Sequence, residues 1–498
     1  MTHVTRRVLL LGSAAGALSV AGVSACGSSG SAVGPASERV RRLEAARRPA
    51  GQRTVVAHLT PRASTVDLGG IVVDTWGYGD SVPGPLLRAT AGDLLRVTVD
   101  NRLPADTSVH WHGVALRNDM DGVPGMTQAP IAGGTSFLYE FTAPDPGTYF
   151  YHPHSGVQLD RGLYGVLVVD DPGDPGDHDL EWVVTLDDWV DGTGRTPDEA
   201  LAALVAAGED GSGAGGGPMG MGAGPMGMGG MGHGSMGMGG GDVDHPHHLV
   251  DGRVPEAPRT FAGSPGQRVR VRLVNAGSDT AYRVALGGHR LTVTHSDGFP
   301  VRPVTGDALL VGMGERYDVT VTLGDGVFPL VASAEGKTGQ GLALVRTGTG
   351  AVPPATVRPA ELDGRVLTLS DLVPADGVAL PGRPVERSHD LLLSGTMAPY
   401  RWTINGETFE DAEPLGVREG ERVRLRFSNM SMMVHPMHVH GHTFGIAGSG
   451  VRKDTVIVRP MESVTVDLDA DNPGQWAAHC HNVYHAEAGM MTTLSYRT

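Results

Sequence analysis

Three stretches of the chain carry the same alternation of apolar and polar residues. The first is Ala91-Gly92-Asp93-Leu94-Leu95-Arg96-Val97-Thr98-Val99-Asp100-Asn101. The second is Pro265-Gly266-Gln267-Arg268-Val269-Arg270-Val271-Arg272-Leu273-Val274-Asn275. The third is Glu419-Gly420-Glu421-Arg422-Val423-Arg424-Leu425-Arg426-Phe427-Ser428-Asn429. Each opens on a glycine turn and closes on an asparagine nine residues after that glycine. Period two marks a half-buried strand, because successive side chains point to opposite faces. The recurrence predicts three related β units. The 74 Gly and 34 Pro residues agree with a turn-rich, mostly β chain. A length of 498 residues accommodates about three domains.

The copies diverge nine residues beyond the asparagine. The first copy reaches His110 and then His112; the third reaches His438 and then His440; the second reaches Val284 and Leu286. Copies one and three therefore carry candidate ligands, and copy two reads as a filler domain. A second block repeats between the outer copies. Pro146-Gly147 precedes His152-Pro153-His154, and Pro473-Gly474 precedes His479-Cys480-His481 at the same distance. The interval from His112 to His152 is 40 residues, and from His440 to His479 it is 39.

A His-x-His strand turns both imidazoles to one face and the middle residue to the other. With 21 His among 498 residues, chance supplies roughly one such pair. The chain has six, and four of them stand at repeat-matched positions. A scattered surface or core histidine does not explain four pairs in register across a duplication, whereas a metal centre between the outer domains does. In His479-Cys480-His481 the thiolate faces away from both imidazoles, so one backbone segment serves two metal sites. Cys480 with His435, His485 and a weak axial Met490 makes the trigonal set favoured by copper. Zinc also accepts Cys and His, but eight further histidines without a carboxylate ligand match a copper cluster better.

These motifs resemble the three-domain multicopper oxidases, the family of laccases and bacterial cuprous oxidases. The motifs are His110-Trp111-His112-Gly113, His152-Pro153-His154, His435-Pro436-Met437-His438-Val439-His440, and His479-Cys480-His481 with His485 and Met490. The resemblance covers the chain from about residue 53 to its end and is nearest the exported actinobacterial type. It implies an all-β fold of three consecutive cupredoxin-like Greek-key domains. It also implies four coppers per chain: type 1 on His435, Cys480, His485 and Met490; type 2 on His110 and His438; and a type 3 pair on His112, His152, His154, His440, His479 and His481. The implied activity passes single electrons from substrate through Cys480 and its neighbours, and reduces O2 to water. Asp121, in Asp121-Gly122-Val123-Pro124, matches the family's acidic residue and is expected to help deliver protons. Asp before Gly is also an ordinary turn signal. Where related cuprous oxidases carry a second acid, this chain has Ala486, with Glu487 next.

Composition narrows the partners. A formal charge of −16 argues against a nucleic-acid partner, which would need a basic surface, and suits a body that attracts cations. Thr5-Arg6-Arg7-Val8-Leu9-Leu10 resembles a twin-arginine export signal, and Val23-Ser24-Ala25-Cys26 a lipobox. The expected order is therefore a signal over 1–26 lipidated at Cys26 and a tether over 27–52, followed by domains at 53–173, 178–350 and 362–498. The protein is expected at the outer side of the cell envelope or the periplasm, anchored by lipid alone or secreted, and monomeric. With Cys26 processed and Cys480 committed to metal, no disulfide is expected.

An insertion at about 211–248 interrupts the second domain. It holds Met219, Met221, Met226, Met228, Met231, Met236 and Met238, then His245, His247 and His248. Glycine stands between most of its apolar residues, so it cannot pack a core and reads as a loop. Thioethers are soft ligands, so the loop is expected to catch Cu(I). Met432 and Met433, just before His435, are expected to admit it, although packing also accounts for them. Ser431 stands where related cuprous oxidases have an acid. Cu(I) oxidation for copper tolerance is the expected activity, with phenol or aromatic amine oxidation beside it. The alternatives are a laccase acting on phenols and a copper-storage protein that consumes no O2.

Overall fold

The computed structural model describes residues 30–209 and 240–498. Each repeated strand occupies the same place in its own unit. Leu94–Asp100 pairs parallel with Thr54–Leu59 and antiparallel with Ser136–Thr142. Arg268–Asn275 lies likewise between Leu180–Trp189 and Arg316–Thr322. Arg422–Asn429 lies between Arg387–Met397 and Ser463–Asp469. A second sheet completes each unit. In the first it is four-stranded and contains His110–His112 and Gly147–His152; in the third it is five-stranded and contains His435–Val439 and Gln475–Cys480. The middle unit pairs two six-stranded sheets. The alternation sorts side chains as the pattern requires: in Leu94–Asp100, Leu95, Val97 and Val99 are fully buried between exposed or half-buried neighbours.

One continuous apolar core runs through units one and three, joining Val97, Trp111 and Tyr139 to Leu425, Trp476 and Leu494. The middle unit has a core of its own around Val271, Tyr282, Val319 and Val345. Units one and three are thus fused face to face, which brings their histidine strands together.

Three expectations change. The stretch assigned as a tether is docked from residue 30 onward. Val33 and Val40 are buried, Val33 N–H bonds the Tyr496 carbonyl, and the helix Glu38–Arg47 carries a buried Glu44. The Glu44 carboxylate accepts from Thr142 N (3.0 Å) and Thr142 Oγ1 (2.7 Å). Residues 362–372, expected in the third domain, belong to the second: Leu362, Leu367 and Leu372 enter its cores, and Val366–Leu367 pairs with Ala308–Val311. The insertion is shorter than expected. A helix, Pro197–Glu209, leads into it, and residues 240–250 already run along the fold, His247–Val250 pairing with Leu180–Trp189. Met219, Met221, Met226, Met228, Met231, Met236 and Met238 lie outside the described residues, as does Cys26.

Candidate metal centre

Within each outer unit the two His-x-His segments are neighbouring antiparallel strands. His110 sits opposite His152 in the first unit, and His438 opposite His479 in the third. That register explains the matching intervals of the sequence. Across the fused interface the rings stack in crossed pairs: His110 on His440 with centroids 3.7 Å apart, and His112 on His438 at 3.8 Å. The ligand atoms sort into His110, His112 and His438; His112, His152 and His481; and His154, His440 and His479, each set within 4.8 Å. Trp111 points the other way, into the core against Tyr139 and Phe141.

The outward nitrogens of five rings are committed, whereas His481 Nδ1 is buried without a partner in the described structure. His110 Nδ1 faces the Asp121 carbonyl at 2.8 Å, His152 Nδ1 the Pro153 carbonyl at 2.9 Å and His479 Nδ1 the Cys480 carbonyl at 2.9 Å. His440 Nδ1 faces Asp121 Oδ2 at 2.9 Å, and His438 Nδ1 the Asp454 carbonyl at 2.9 Å. A ring that donates outward presents a bare lone pair on its other nitrogen. Those lone pairs converge: His440 Nε2 and His479 Nε2 are 3.0 Å apart, and His152 Nε2 and His481 Nε2 3.4 Å. His110 Nε2, His112 Nδ1 and His438 Nε2 are buried without a hydrogen-bond partner in the described structure. Burial, then the neighbouring imidazoles, holds His112, His152, His154, His440 and His481 far below the ordinary histidine range, and His479 at about 3. Neutral imidazoles with converging lone pairs fit metal cations and little else.

The second site lies on the far side of Cys480. Its Sγ is 3.6 Å from His435 Nδ1 and 3.6 Å from His485 Nδ1, and those nitrogens are 3.1 Å apart. Met490 is buried beside them; its carbonyl accepts from Cys480 N–H, and its N–H donates to His485 O. The two outer nitrogens have unlike partners: Ser431 Oγ at 2.8 Å from His435 Nε2, and Asp242 Oδ2 at 3.1 Å from His485 Nε2. Burial alone would lower the His485 imidazole, but Asp242 and Cys480 override it and hold it near 10. His435, beside a neutral hydroxyl, is pushed the other way by burial and by His485. Trp402 packs over both rings, with centroids 5.2 Å and 4.1 Å away.

All the family-matched histidines thus gather in two sites joined by residues 479–481. Asp121 lies behind the rings of His110 and His440, its Oδ1 3.2 Å from His110 Nδ1. A cavity of about 20 Å³ reaches His152, His154, His479 and His481 from the surface, with Glu487 at its exposed edge.

Models of the multicopper oxidase family match residues 62–174, 181–350 and 383–498 in turn. The chain is 50% identical over 490 residues to "Multicopper oxidase MmcO" of Mycobacterium tuberculosis, spanning 97% of this chain and 95% of that one. The chain belongs to the multicopper oxidase family. It is also 29% identical to "Copper resistance protein A homolog" of Pseudomonas syringae pv. tomato, over 87% of this chain and 90% of that protein. The solved multicopper oxidase of Pseudomonas thermotolerans superposes with a TM-score of 0.67 at 28% identity, covering 89% of this chain and all of that one. The three units are cupredoxin-like domains. As a multicopper oxidase the protein uses type 1, type 2 and type 3 copper, and is an oxidoreductase with O2 as acceptor. The histidine clusters fit that complement.

Sequence reasoning missed Asp242, Trp402, Asp454 and Arg316. Asp242 followed a glycine-rich run and read as loop, and nothing near Trp402 or Asp454 in the sequence ties them to a histidine. Arg316 belongs to a charged run, Glu315-Arg316-Tyr317-Asp318, that single-sequence alternation assigns to solvent, yet all four are buried.

Proposed function

We propose that this multicopper oxidase oxidises Cu(I). In this reading type 1 copper lies on His435, Cys480, His485 and Met490, and type 2 on His110 and His438. The type 3 pair lies on His112, His152 and His481 and on His154, His440 and His479. The converging lone pairs support this division. When bound, copper supplies one-electron redox chemistry at the first site and four-electron reduction of O2 at the second. The stoichiometry is four Cu(I), one O2 and four protons to four Cu(II) and two waters.

The chain's own groups do the rest. Cys480 and its flanking histidines join the two sites by covalent bonds alone. Burial of every ring but His154, which is partly exposed, excludes water from the centre. Asp121 Oδ2 fixes the proton on His440 Nδ1, and the Asp121 carbonyl fixes that on His110 Nδ1.

The substrate class rests on a rim of thioethers. Met432 is 64% exposed, whereas Met433, expected beside it, is half-buried against the apolar core; Met430, 57% exposed, takes its place, and the two flank Ser431, whose hydroxyl touches His435. Exposed thioethers are soft ligands that select Cu(I) over hard cations. Net charge of −16 favours cation approach. The relative named for copper resistance points the same way.

Oxygen uptake by the copper-loaded protein, with Cu(I) against a phenol, tests the reading. Met430→Ser with Met432→Ser should raise KM for Cu(I) and leave aromatic amine oxidation unchanged. Faster turnover of the phenol, or indifference to the double substitution, would turn the assignment to a laccase. Copper binding without oxygen uptake would leave only storage. The proposal includes twin-arginine-type export, lipidation at Cys26 and a monomeric state. Cys26→Ala should move the protein from the membrane to the soluble fraction.

A further inference from the structure

Among the described residues the middle domain contributes no histidine to the centre, yet it touches it, and so it is not filler. Its turn at Gly314 has φ +79°, and a Cβ there would stand 2.9 Å from the His481 ring and 3.0 Å from His112 Cε1. Two residues on, fully buried Arg316 clamps Asp454 of the third domain through two bonds of 2.6 Å, Nη1 to Oδ1 and Nη2 to Oδ2. Its Nε bonds the Thr148 carbonyl of the first domain at 3.0 Å. Arg316 therefore ties all three domains at one point. Gly113, at φ +83° beside His112, leaves the room: a Cβ there would collide with the Arg316 guanidinium and the Asp454 carboxylate.

Asp454 stands directly behind the centre. Its Oδ1 is 3.3 Å from His112 Nε2 and 3.5 Å from His438 Nδ1. Thr455 Oγ1 donates to the same Oδ1 at 2.8 Å and lies 2.9 Å from His112 Nε2. The backbone of this dipeptide is held by the middle domain too, because Asp297 Oδ2 accepts from Asp454 N and Thr455 N at 3.2 Å each. His112 Nδ1 is buried without a hydrogen-bond partner in the described structure, so the orientation of the ring depends on what grips Nε2.

We infer that Arg316 is a positioning residue for the trinuclear copper cluster, acting through Asp454 on His112 and His438. This rests on the ligand assignment proposed above. A bidentate guanidinium–carboxylate pair fixes the plane of the carboxylate; that carboxylate holds the Thr455 hydroxyl facing His112 Nε2, and the carbonyl of the same clamped residue faces His438 Nδ1. The middle domain thereby sets the geometry of one type 2 and one type 3 ligand.

The test uses the copper-loaded full chain with Arg316→Gln, Arg316→Lys and the control Arg270→Gln. Arg270 makes a comparable buried pair with Asp318 in the same domain. Arg316→Gln should change the type 2 electron paramagnetic resonance spectrum or lower copper per chain, and reduce oxygen turnover by about 10–100-fold, with the blue type 1 band unchanged. Arg316→Lys should restore part of the signal, and Arg270→Gln should keep the wild-type spectrum. Wild-type spectra and copper content in Arg316→Gln, or an equal change in Arg270→Gln, would overturn the inference. Should Arg316→Gln not accumulate, Thr455→Val removes the hydroxyl that faces both His112 Nε2 and His438 Nδ1; unchanged type 2 and type 3 spectra there would overturn it as well. A wild-type protein without a type 2 signal would instead sink the ligand assignment, and this inference with it.

Discussion

The asparagines that close the repeated strand allow one substitution to be made three times. Asn101, Asn275 and Asn429 are all buried. Asn101 Nδ2 donates to the Ala105 and Ile131 carbonyls, and its Oδ1 accepts from Leu103 N. Asn275 does the same with Thr280, Val311 and Gly277 N. Asn429 bonds the Met433 and Val458 carbonyls and accepts from Ser431 N. Replacement by Ala removes at least three bonds and leaves buried backbone groups unmet, at about 1–2 kcal/mol each, or about 3–6 kcal/mol per domain. In a domain of this size 1 kcal/mol shifts the unfolding midpoint by about 2–4 °C, so the affected domain should melt roughly 6–24 °C earlier. Function should split the three. Asn429→Ala loosens the loop carrying Ser431 and Met433 into His435, so the blue band should shift or bleach. Asn101→Ala loosens the approach to His110, so the type 2 spectrum should change. Asn275→Ala should lower stability alone. Calorimetry and absorption on the same copper-loaded samples decide it. An unchanged midpoint in Asn275→Ala, or in Asn429→Ala, would refute the bond count. A bleached blue band in Asn275→Ala at temperatures where its domain is folded would refute the division of roles.

Other perturbations follow from the site. Cys480→Ser should abolish the blue band and turnover together while type 2 resonance persists; survival of colour and turnover would break the two-site reading. Asp121→Asn keeps the shape but loses the charge behind His440, and should cut oxygen turnover by about 10–100-fold with the blue band unmoved. Turnover within twofold of wild type would show that Asp121 is only a turn residue. His245 is buried between Asp160 and Asp188, at 3.3 Å and 3.7 Å. Burial opposes its charge, but the two carboxylates prevail and raise it from its ordinary 6.5 to about 9. Its folded value exceeds the unfolded one, so its stabilisation is complete below pH 6.5 and fades as pH rises through about 9. Urea midpoints of wild type should therefore fall across that window relative to His245→Gln, and parallel curves would refute the assignment.

Much of the architecture was legible because it is written locally and then repeated. Period-two alternation ending in Asn at 101, 275 and 429 marked the same strand in each domain, and the structure places all three between equivalent partners. The 40- and 39-residue intervals became neighbouring strands. Other features were illegible for a common reason. Glu44, Asp242, Asp454 and Arg316 are charged residues whose partners lie in another domain or far along the chain, and a charge without a visible partner reads as solvent-exposed. The segment from residue 30 to 52 read as a tether because its two decisive apolar contacts, Val33 and Val40, are sparse. Residues 362–372 joined the second domain through a two-residue strand pairing too short to leave a pattern.

The sequence by itself determined the ligand inventory and its sidedness. In a strand the backbone dictates that His479 and His481 face one way and Cys480 the other, wherever the strand is placed. Only the tertiary structure decided which imidazoles share a site, which ring nitrogens are left bare, and that the middle domain presses on the centre. Those are distances between separately folded sheets. They are set by the core shared between domains one and three and by the buried Arg316–Asp454 clamp, neither of which has a spacing along the chain.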